Sequence, residues 1–165
     1  MTSVFESGFE LLAAELAARE QTEPRGEIPL ADSAAITARR DFYRVREAAS
    51  SETRLWCSEG STSWTVIYEG DARFQLSCLN RFIYVKAAVD LTEVLHQSEH
   101  VRGQVSTVGL AAPDENAEEL AVQLARWGVT RICPLGRMQV PPLTWRHEGR
   151  PALGDLITWT GWEQT

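Results

Sequence analysis

An alternation of two β-rich stretches with an amphipathic helix constrains the fold more than any other feature of this chain. Residues 105–112 (VSTVGLAA) and 129–136 (VTRICPLG) are typical of strands. The apolar residues between them recur at helical spacing, and these are Ala117, Leu120, Leu124 and Trp127. Asn116 and Glu119 predict a capping box at the start of this helix, and Gly128 predicts its end. The order strand, helix, strand predicts two parallel strands joined by a right-handed crossover.

The N-terminal part of the chain predicts two helices. The first carries an apolar stripe at spacings of four, three and four residues, formed by Phe5, Phe9, Leu12 and Leu16. A loop rich in breakers and charges, 22–33, separates it from a second helix at about 33–49. The second helix has a weak apolar face made by Ala35, Ile36 and Tyr43. Its arginines are interpreted as a solvated face, and they are Arg39, Arg40, Arg44 and Arg46.

Strand-like patterns follow these helices and recur near the C-terminus. Residues 53–58 and 64–70 predict two strands joined by a hairpin-like turn, EGSTS. Residues 74–78 predict a short strand, and residues 81–88 (RFIYVKAA) predict the clearest strand of the chain. A final strand is predicted at 156–160, either at a sheet edge or paired with another subunit.

Length, charge and cysteine usage argue against several classes of function. A chain of 165 residues is long enough for one domain with its own core. A net charge of −7 argues against nucleic acid as the main partner, although a few local arginines can still hold an anionic ligand. No run of about 18 apolar residues is present, so no membrane span is expected. The three cysteines form no CxxC pair, so neither a disulfide framework nor a zinc cluster is expected, and a reducing cytoplasm is the default location.

Sequence motifs for phosphate binding and for nucleophilic catalysis are absent. The chain has no GxGxxG after a strand, no GxxxxGK(S/T) and no GxSxG. On a short helix predicted at 91–100, Glu93, His96 and His100 would share one face, which is the geometry of a metal site. An exposed helix surface is the favoured interpretation of that pattern. The cysteines are more typical of inert core residues than of nucleophiles, and they are Cys57, Cys78 and Cys133.

Five short motifs in the last third of the chain carry a resemblance to a known family. In order they are QVSTVGL (104–110), GVTRI (128–132), PLGRMQ (134–139), HEGRPALGDL (147–156) and ITWTGWE (157–163). Their order and spacing resemble the acyl-CoA reductases of bacterial bioluminescence systems, the LuxC type of the aldehyde dehydrogenase superfamily. The first helix and the loop RGEIPL are similar, more loosely, to the segment that in this family follows the nucleophilic cysteine.

The resemblance implies a fold and an activity. The fold would be α/β, a partial aldehyde-dehydrogenase-like catalytic domain with a mostly parallel sheet flanked by helices. All 165 residues would form one domain, with 156–160 as an oligomerisation strand. The implied reaction reduces a long-chain fatty acyl thioester to a fatty aldehyde with NADPH, through an acyl-enzyme formed on a cysteine.

No residue of this chain aligns with that nucleophile, so no catalytic residue and no NADPH site are assigned. The isolated chain is expected to be inactive, and its partner would be a further copy of itself or a missing N-terminal half. A non-catalytic interaction or oligomerisation module derived from the same fold is the alternative.

The resemblance also implies which residues bind the substrate. The glycine-containing loop at 136–138 would face the substrate tunnel. The residues expected to line an acyl channel are Met138, Leu143 and Trp145, because such a channel needs apolar walls. Arg137 or His147 would face a charged part of the acyl-CoA. Packing roles for Met138 and Trp145, and a turn role for His147, are the alternative.

Overall fold

The computed structural model describes residues 2–150 and 160–162, with the side chains of 2–7 and 148 left aside. Two compact units make up the chain, Met1–Gln97 and Ser98–Thr165. They are called the N-terminal unit and the C-terminal unit.

The N-terminal unit combines three helices with a three-stranded sheet. Its elements are α1 (Thr2–Thr22), α2 (Leu30–Ala49), β1 (Thr53–Cys57), β2 (Thr65–Glu69), β3 (Phe82–Lys86) and α3 (Leu91–Gln97). Helices α1 and α2 and strands β1 to β3 were all predicted from the sequence. Helix α2 begins three residues earlier than predicted, directly after Pro29, which occupies the N-cap position. A proline is tolerated there because the helix does not use the N–H of its N-cap residue.

The sheet has the order β1-β2-β3, with β1 and β2 antiparallel and β2 and β3 parallel. The expectation of a mostly parallel sheet is confirmed only in part, since the described strands form two small sheets, and β1 and β2 are antiparallel, as the predicted hairpin-like turn implies. The cause is the short connection 58–64 between β1 and β2, because a parallel pair needs a crossover of about a dozen residues or more.

The connection from β2 to β3 contains the predicted strand at 74–78, which does not form. That segment has no strand partner in the described structure. Three consecutive non-glycine residues with positive φ then turn the chain into β3: Leu79 (60°), Asn80 (53°) and Arg81 (63°). Such a left-handed run is unfavourable for residues with a Cβ, so tertiary contacts must stabilise it.

The core of the N-terminal unit lies between α2 and the sheet. Its buried members are Ile36, Tyr43, Ile67 and Phe82. Ile36 and Tyr43 lie seven residues apart on α2, so both point to the sheet, as the weak apolar face predicted. Ala35, the third member of that predicted face, is exposed.

The C-terminal unit contains the predicted strand, helix, strand order. Its elements are a 3₁₀ turn (Glu99–Val101), β4 (Thr107–Leu110), α4 (Asp114–Trp127), β5 (Arg131–Pro134) and a second 3₁₀ turn (His147–Gly149). Strands β4 and β5 pair in parallel, which confirms the predicted pairing. Leu124 and Trp127 are buried, and Ala117 and Leu120 are half-buried, which confirms the predicted stripe.

The two ends of α4 show one wrong and one correct prediction. The helix begins at Asp114 after Pro113, and no side chain caps it, so the predicted capping box does not form. Gly128 ends it with φ of 115° and donates its N–H to the carbonyl oxygens of Leu124 and Ala125. This confirms the glycine as the helix-ending residue.

These elements do not test two of the predictions, namely the oligomerisation strand and the aldehyde-dehydrogenase-like arrangement. Residues 156–159 of the predicted oligomerisation strand lie outside the described part of the chain, and Thr160 belongs to no strand. The aldehyde-dehydrogenase-like arrangement stays a prediction. Among the described helices, none has the length and apolar character needed to span a bilayer.

Candidate functional site

An open cleft of about 810 Å³ lies in the C-terminal unit, between β5 and the irregular segment that follows it. Its walls combine apolar residues, among them Ile132, Pro141 and Pro142, with the charged residues Arg131 and Arg137. A mostly apolar concave surface with a few polar groups is the usual form of a small-molecule site.

Arg131 holds the irregular segment against β5. Its side chain is buried, and Nη1 donates to the carbonyl oxygen of Met138 over 2.7 Å. Nη2 donates to the carbonyl oxygens of Arg137 over 2.8 Å and Val140 over 3.4 Å. The guanidinium also lies 5.5 Å from the ring centre of Trp145, a cation–π distance. One buried cation thus shapes the cleft, and sequence reasoning missed it although it lies within the motif GVTRI.

Trp145 contributes an aromatic wall to the cleft. Its ring lies edge-on to His147 with 5.0 Å between ring centres. The indole Nε1 is buried and has no hydrogen-bond partner among the described residues. An unpaired buried donor costs about 1–3 kcal/mol, and this one is shielded from the open cleft.

The structure separates the five residues predicted to bind the substrate. Arg137 and Trp145 line the cleft. Met138 is not on its wall, since its side chain packs beside Gly109 of β4. Leu143 is fully exposed, and His147 is exposed in the second 3₁₀ turn. The substrate-binding roles of all five stay predictions.

Cys133 is the cysteine that lines this cleft. It is a half-buried free thiol, and its Sγ lies 3.9 Å from the carbonyl oxygen of Val108. Cys57 and Cys78, also free and half-buried, belong to the N-terminal unit.

A buried polar cluster occupies the ends of β2 and β3 in the N-terminal unit. Glu69 is only 1 % exposed, and its carboxylate forms ion pairs with Arg46 at 2.9 Å and with Lys86. The hydroxyl of Tyr43 lies 3.1 Å from Oε2 of Glu69 and 2.6 Å from Oε1 of Gln75. Two cations on one carboxylate compensate for removing it from water.

The pKa of Tyr43 is raised by this setting. Burial is the largest cause, followed by the neighbouring Tyr84 and by Glu69. The pKa of Tyr84 is also raised, mainly because its phenol is buried. Both phenols therefore stay neutral donors or acceptors at ordinary pH.

Arg40 overturns part of the prediction for α2, because its side chain is only 4 % exposed rather than solvated. It donates to oxygen atoms of Ser58, Ser61, Trp64 and Thr65 at 2.7–3.3 Å. These hydrogen bonds hold the loop that joins β1 to β2 against α2. The neighbouring Arg39 and Arg44 are exposed, as predicted, and Arg46 is half-buried.

The histidines do not share a helix. Helix α3 ends at Gln97, so His96 lies in it while His100 lies in the following 3₁₀ turn. Across the described residues, no group of three or more potential metal ligands has the geometry to hold an ion.

The crossover β4–α4–β5 does not fit a dinucleotide. In a dinucleotide-binding unit, the pyrophosphate lies at the helix N-terminus on free N–H groups beside glycines. Helix α4 instead starts after Pro113 and carries Asp114 and Glu115 in its first turn. These carboxylates would repel a phosphate, so the N-terminus of α4 is unsuited to the pyrophosphate of NADPH.

The comparison with protein families identifies the chain. A family model described as acyl-CoA reductase (LuxC) matches residues 5–159, which covers most of both units. The chain belongs to the LuxC acyl-CoA reductase family. No curated protein matches it significantly.

Proposed function

We propose that this acyl-CoA reductase chain binds the acyl part of a long-chain fatty acyl thioester, within an enzyme that reduces it to a fatty aldehyde with NADPH. The observation that carries the proposal is the family match over residues 5–159. The cleft beside β5 supports it, because its apolar wall suits an acyl chain.

Each side of the cleft has a role in this proposal. Pro141, Pro142 and Trp145 exclude water from the acyl chain. Arg137, exposed at the wall, faces the anionic part of the acyl-CoA. Arg131 acts through its hydrogen bonds to the segment, so it is a positioning residue rather than a contact.

The reaction itself needs a nucleophile and a two-electron reductant, and it releases CoA. We assign neither a nucleophile nor a reductant site to this chain, since no residue aligns with the family's cysteine and α4 starts with two carboxylates. The isolated 165-residue chain is therefore expected to bind acyl-CoA without consuming NADPH. A cytoplasmic location belongs to the same proposal, because all three cysteines are free thiols.

Calorimetry with myristoyl-CoA, and CoA as the reference ligand, tests the acyl site. Trp145→Ala should weaken myristoyl-CoA binding about tenfold, since a large aromatic wall is lost. Trp162→Ala is the matched control, because Trp162 is exposed and lies off the cleft wall. Equal losses in the two variants would refute the assignment of the cleft. NADPH consumption by the isolated chain with palmitoyl-CoA would refute the expected inactivity.

A non-catalytic assembly module is the second candidate function, favoured by large apolar side chains exposed to solvent. The most exposed are Leu30, Val89, Leu143 and Trp162. Two of these residues lie in each unit, and in this candidate function they would meet a partner, either a second copy or a polypeptide that carries the nucleophile. Light scattering should show self-association of the isolated chain, and a stable monomer at high concentration would count against this candidate.

A further inference from the structure

A second cleft, of about 740 Å³, lies in the N-terminal unit between α2 and the loop that joins β1 to β2. Three arginines line it, namely Arg25, Arg40 and Arg44, against a single glutamate, Glu59. Several residues with hydroxyl groups also line this cleft, among them Ser33, Thr37, Ser61 and Thr62. This concentration of positive charge contrasts with the net charge of −7 of the whole chain.

The positive charge in this second cleft is poorly compensated. Arg44 pairs with Asp41, but neither Arg25 nor Arg40 forms an ion pair with any carboxylate in the described part of the chain. Arg40 is satisfied by neutral oxygen atoms alone, although its side chain is almost fully buried. A buried cation without an anion is unfavourable, so the site favours an anionic ligand.

Arg25 has donor capacity left for such a ligand. Each of its two Nη atoms carries two N–H groups and uses one of them on Thr62, for the carbonyl and the hydroxyl respectively, which leaves one N–H on each Nη. The Nε has no hydrogen-bond partner among the described residues but is shielded from the cleft. The contacts with Thr62 hold Arg25 against the loop 58–62. An arginine already fixed in place loses little side-chain entropy when an anion binds.

We propose that this second cleft binds a phosphate ester, with Arg25 and Arg44 as the contacting cations and Arg40 as the buried charge behind them. Guanidinium groups beside hydroxyls are suited to phosphate oxygens, which accept several charge-assisted hydrogen bonds. The shared chemistry is that of CoA, which carries a 3′-phosphate and a diphosphate, and of NADPH, which carries a 2′-phosphate. The identification of CoA as the ligand rests on the proposed function, whereas the proposal of an anion site does not.

Calorimetry of the full chain with inorganic pyrophosphate tests the anion site without any acyl group. Arg25→Gln and Arg44→Glu should each weaken pyrophosphate binding about tenfold or more, as expected for losing a charge-assisted contact. Arg44 is exposed, so its variant keeps the fold even if Arg25→Gln does not. Arg39→Gln is the matched control, because Arg39 lies on the same helix but off the cleft wall and the charge change equals that of Arg25→Gln.

Cys57 offers an independent measurement, since it lines the same cleft. In a chain with Cys78→Ser and Cys133→Ser, pyrophosphate should slow iodoacetamide labelling of Cys57 several-fold, and sodium chloride at equal ionic strength should not. Absence of pyrophosphate binding at millimolar concentration would overturn the proposal. So would equal weakening by Arg39→Gln and Arg44→Glu.

Pairs of ligands that differ by one phosphate group distinguish CoA from NADPH as the molecule that carries the bound phosphate. Tighter binding of CoA than of 3′-dephospho-CoA, lost in Arg44→Glu, would support CoA. The same difference between NADPH and NADH would support the dinucleotide. Because pyrophosphate reports the site alone, failure of both pairs would remove the link to acyl-CoA reduction and leave the anion site standing.

Discussion

The hydroxyl of Tyr43 lies 3.1 Å from the carboxylate of Glu69, and both side chains are almost completely shielded from water. Tyr43 comes from α2 and Glu69 from the end of β2, so this contact joins the helix to the sheet. The phenol can donate to the carboxylate only while it keeps its proton. The link between α2 and the sheet therefore depends on pH.

Stability should fall at alkaline pH because the pKa of Tyr43 is raised above its ordinary value of 10.0. A raised pKa in the folded state stabilises the fold fully below the unfolded pKa, and the contribution is lost as pH rises towards the folded pKa. The free energy of unfolding should thus decline above about pH 10, where the unfolded tyrosine starts to lose its proton. Urea unfolding of the wild type and Tyr43→Phe across this range checks it. The variant should be less stable near neutral pH and decline less steeply, and parallel curves would contradict the assignment.

Lys86→Met should destabilise the N-terminal unit by roughly 2–3 kcal/mol, because Glu69 would keep only one cation while staying buried. Arg44→Gln is the control, since it breaks the exposed pair with Asp41 and should cost less than about 0.5 kcal/mol. Chemical unfolding midpoints compare the two. Similar midpoints would mean that the buried ion pair adds no stability.

Gly109→Ala should destabilise the C-terminal unit by about 1 kcal/mol, the order expected for overpacking. A Cβ there would lie 2.8 Å from Sδ of Met138, whose side chain would have to move, and 3.2 Å from Cδ1 of Leu135, which would have to give by a few tenths of an ångström. Met138→Ala in the same chain should recover most of the loss. A double-mutant cycle by thermal unfolding measures this coupling, and additive effects would show that the two residues do not touch.

Gly128→Ala should cost about 1–3 kcal/mol, because φ of 115° is strained for any residue with a Cβ. Gly161→Ala serves as its control, since a Cβ on Gly161 meets no atom within 4 Å and its φ is not in the positive range. Circular dichroism on heating compares them. Equal melting temperatures would argue against the left-handed helix end.

Local patterns predicted most of the helices and strands, since spacing and turn chemistry act over a few residues. The stripe at Leu124 and Trp127, the glycine end at Gly128 and the pairing of β4 with β5 are examples. The predicted start of α4 was wrong because the capping pattern of Asn116 and Glu119 was taken as the helix start, whereas the helix begins earlier, directly after Pro113. The strand expected at 74–78 failed because β propensity does not supply a partner strand.

The candidate site was less accessible to such patterns. The motifs predicted a substrate-binding role for the segment after β5. Of the residues predicted there, Arg137 and Trp145 line the cleft. The motifs did not reveal Arg131, whose hydrogen bonds shape that cleft, because an arginine in a strand has no periodic signature. The burial of Arg40 was not predicted either, because a run of arginines on one helix is typical of a solvated face.

By itself, the sequence determined the family, the types of most elements and the parallel pairing in the C-terminal unit, since these depend on motif order and on contacts between near neighbours. Only the tertiary structure decided the parallel pairing of β2 with β3, the burial of Glu69 and the gathering of Arg25 and Arg40 at one cleft. The physical reason is that a charged side chain is stable in the interior only where distant residues supply its partners, and those partners are set by the packing of elements far apart in the chain.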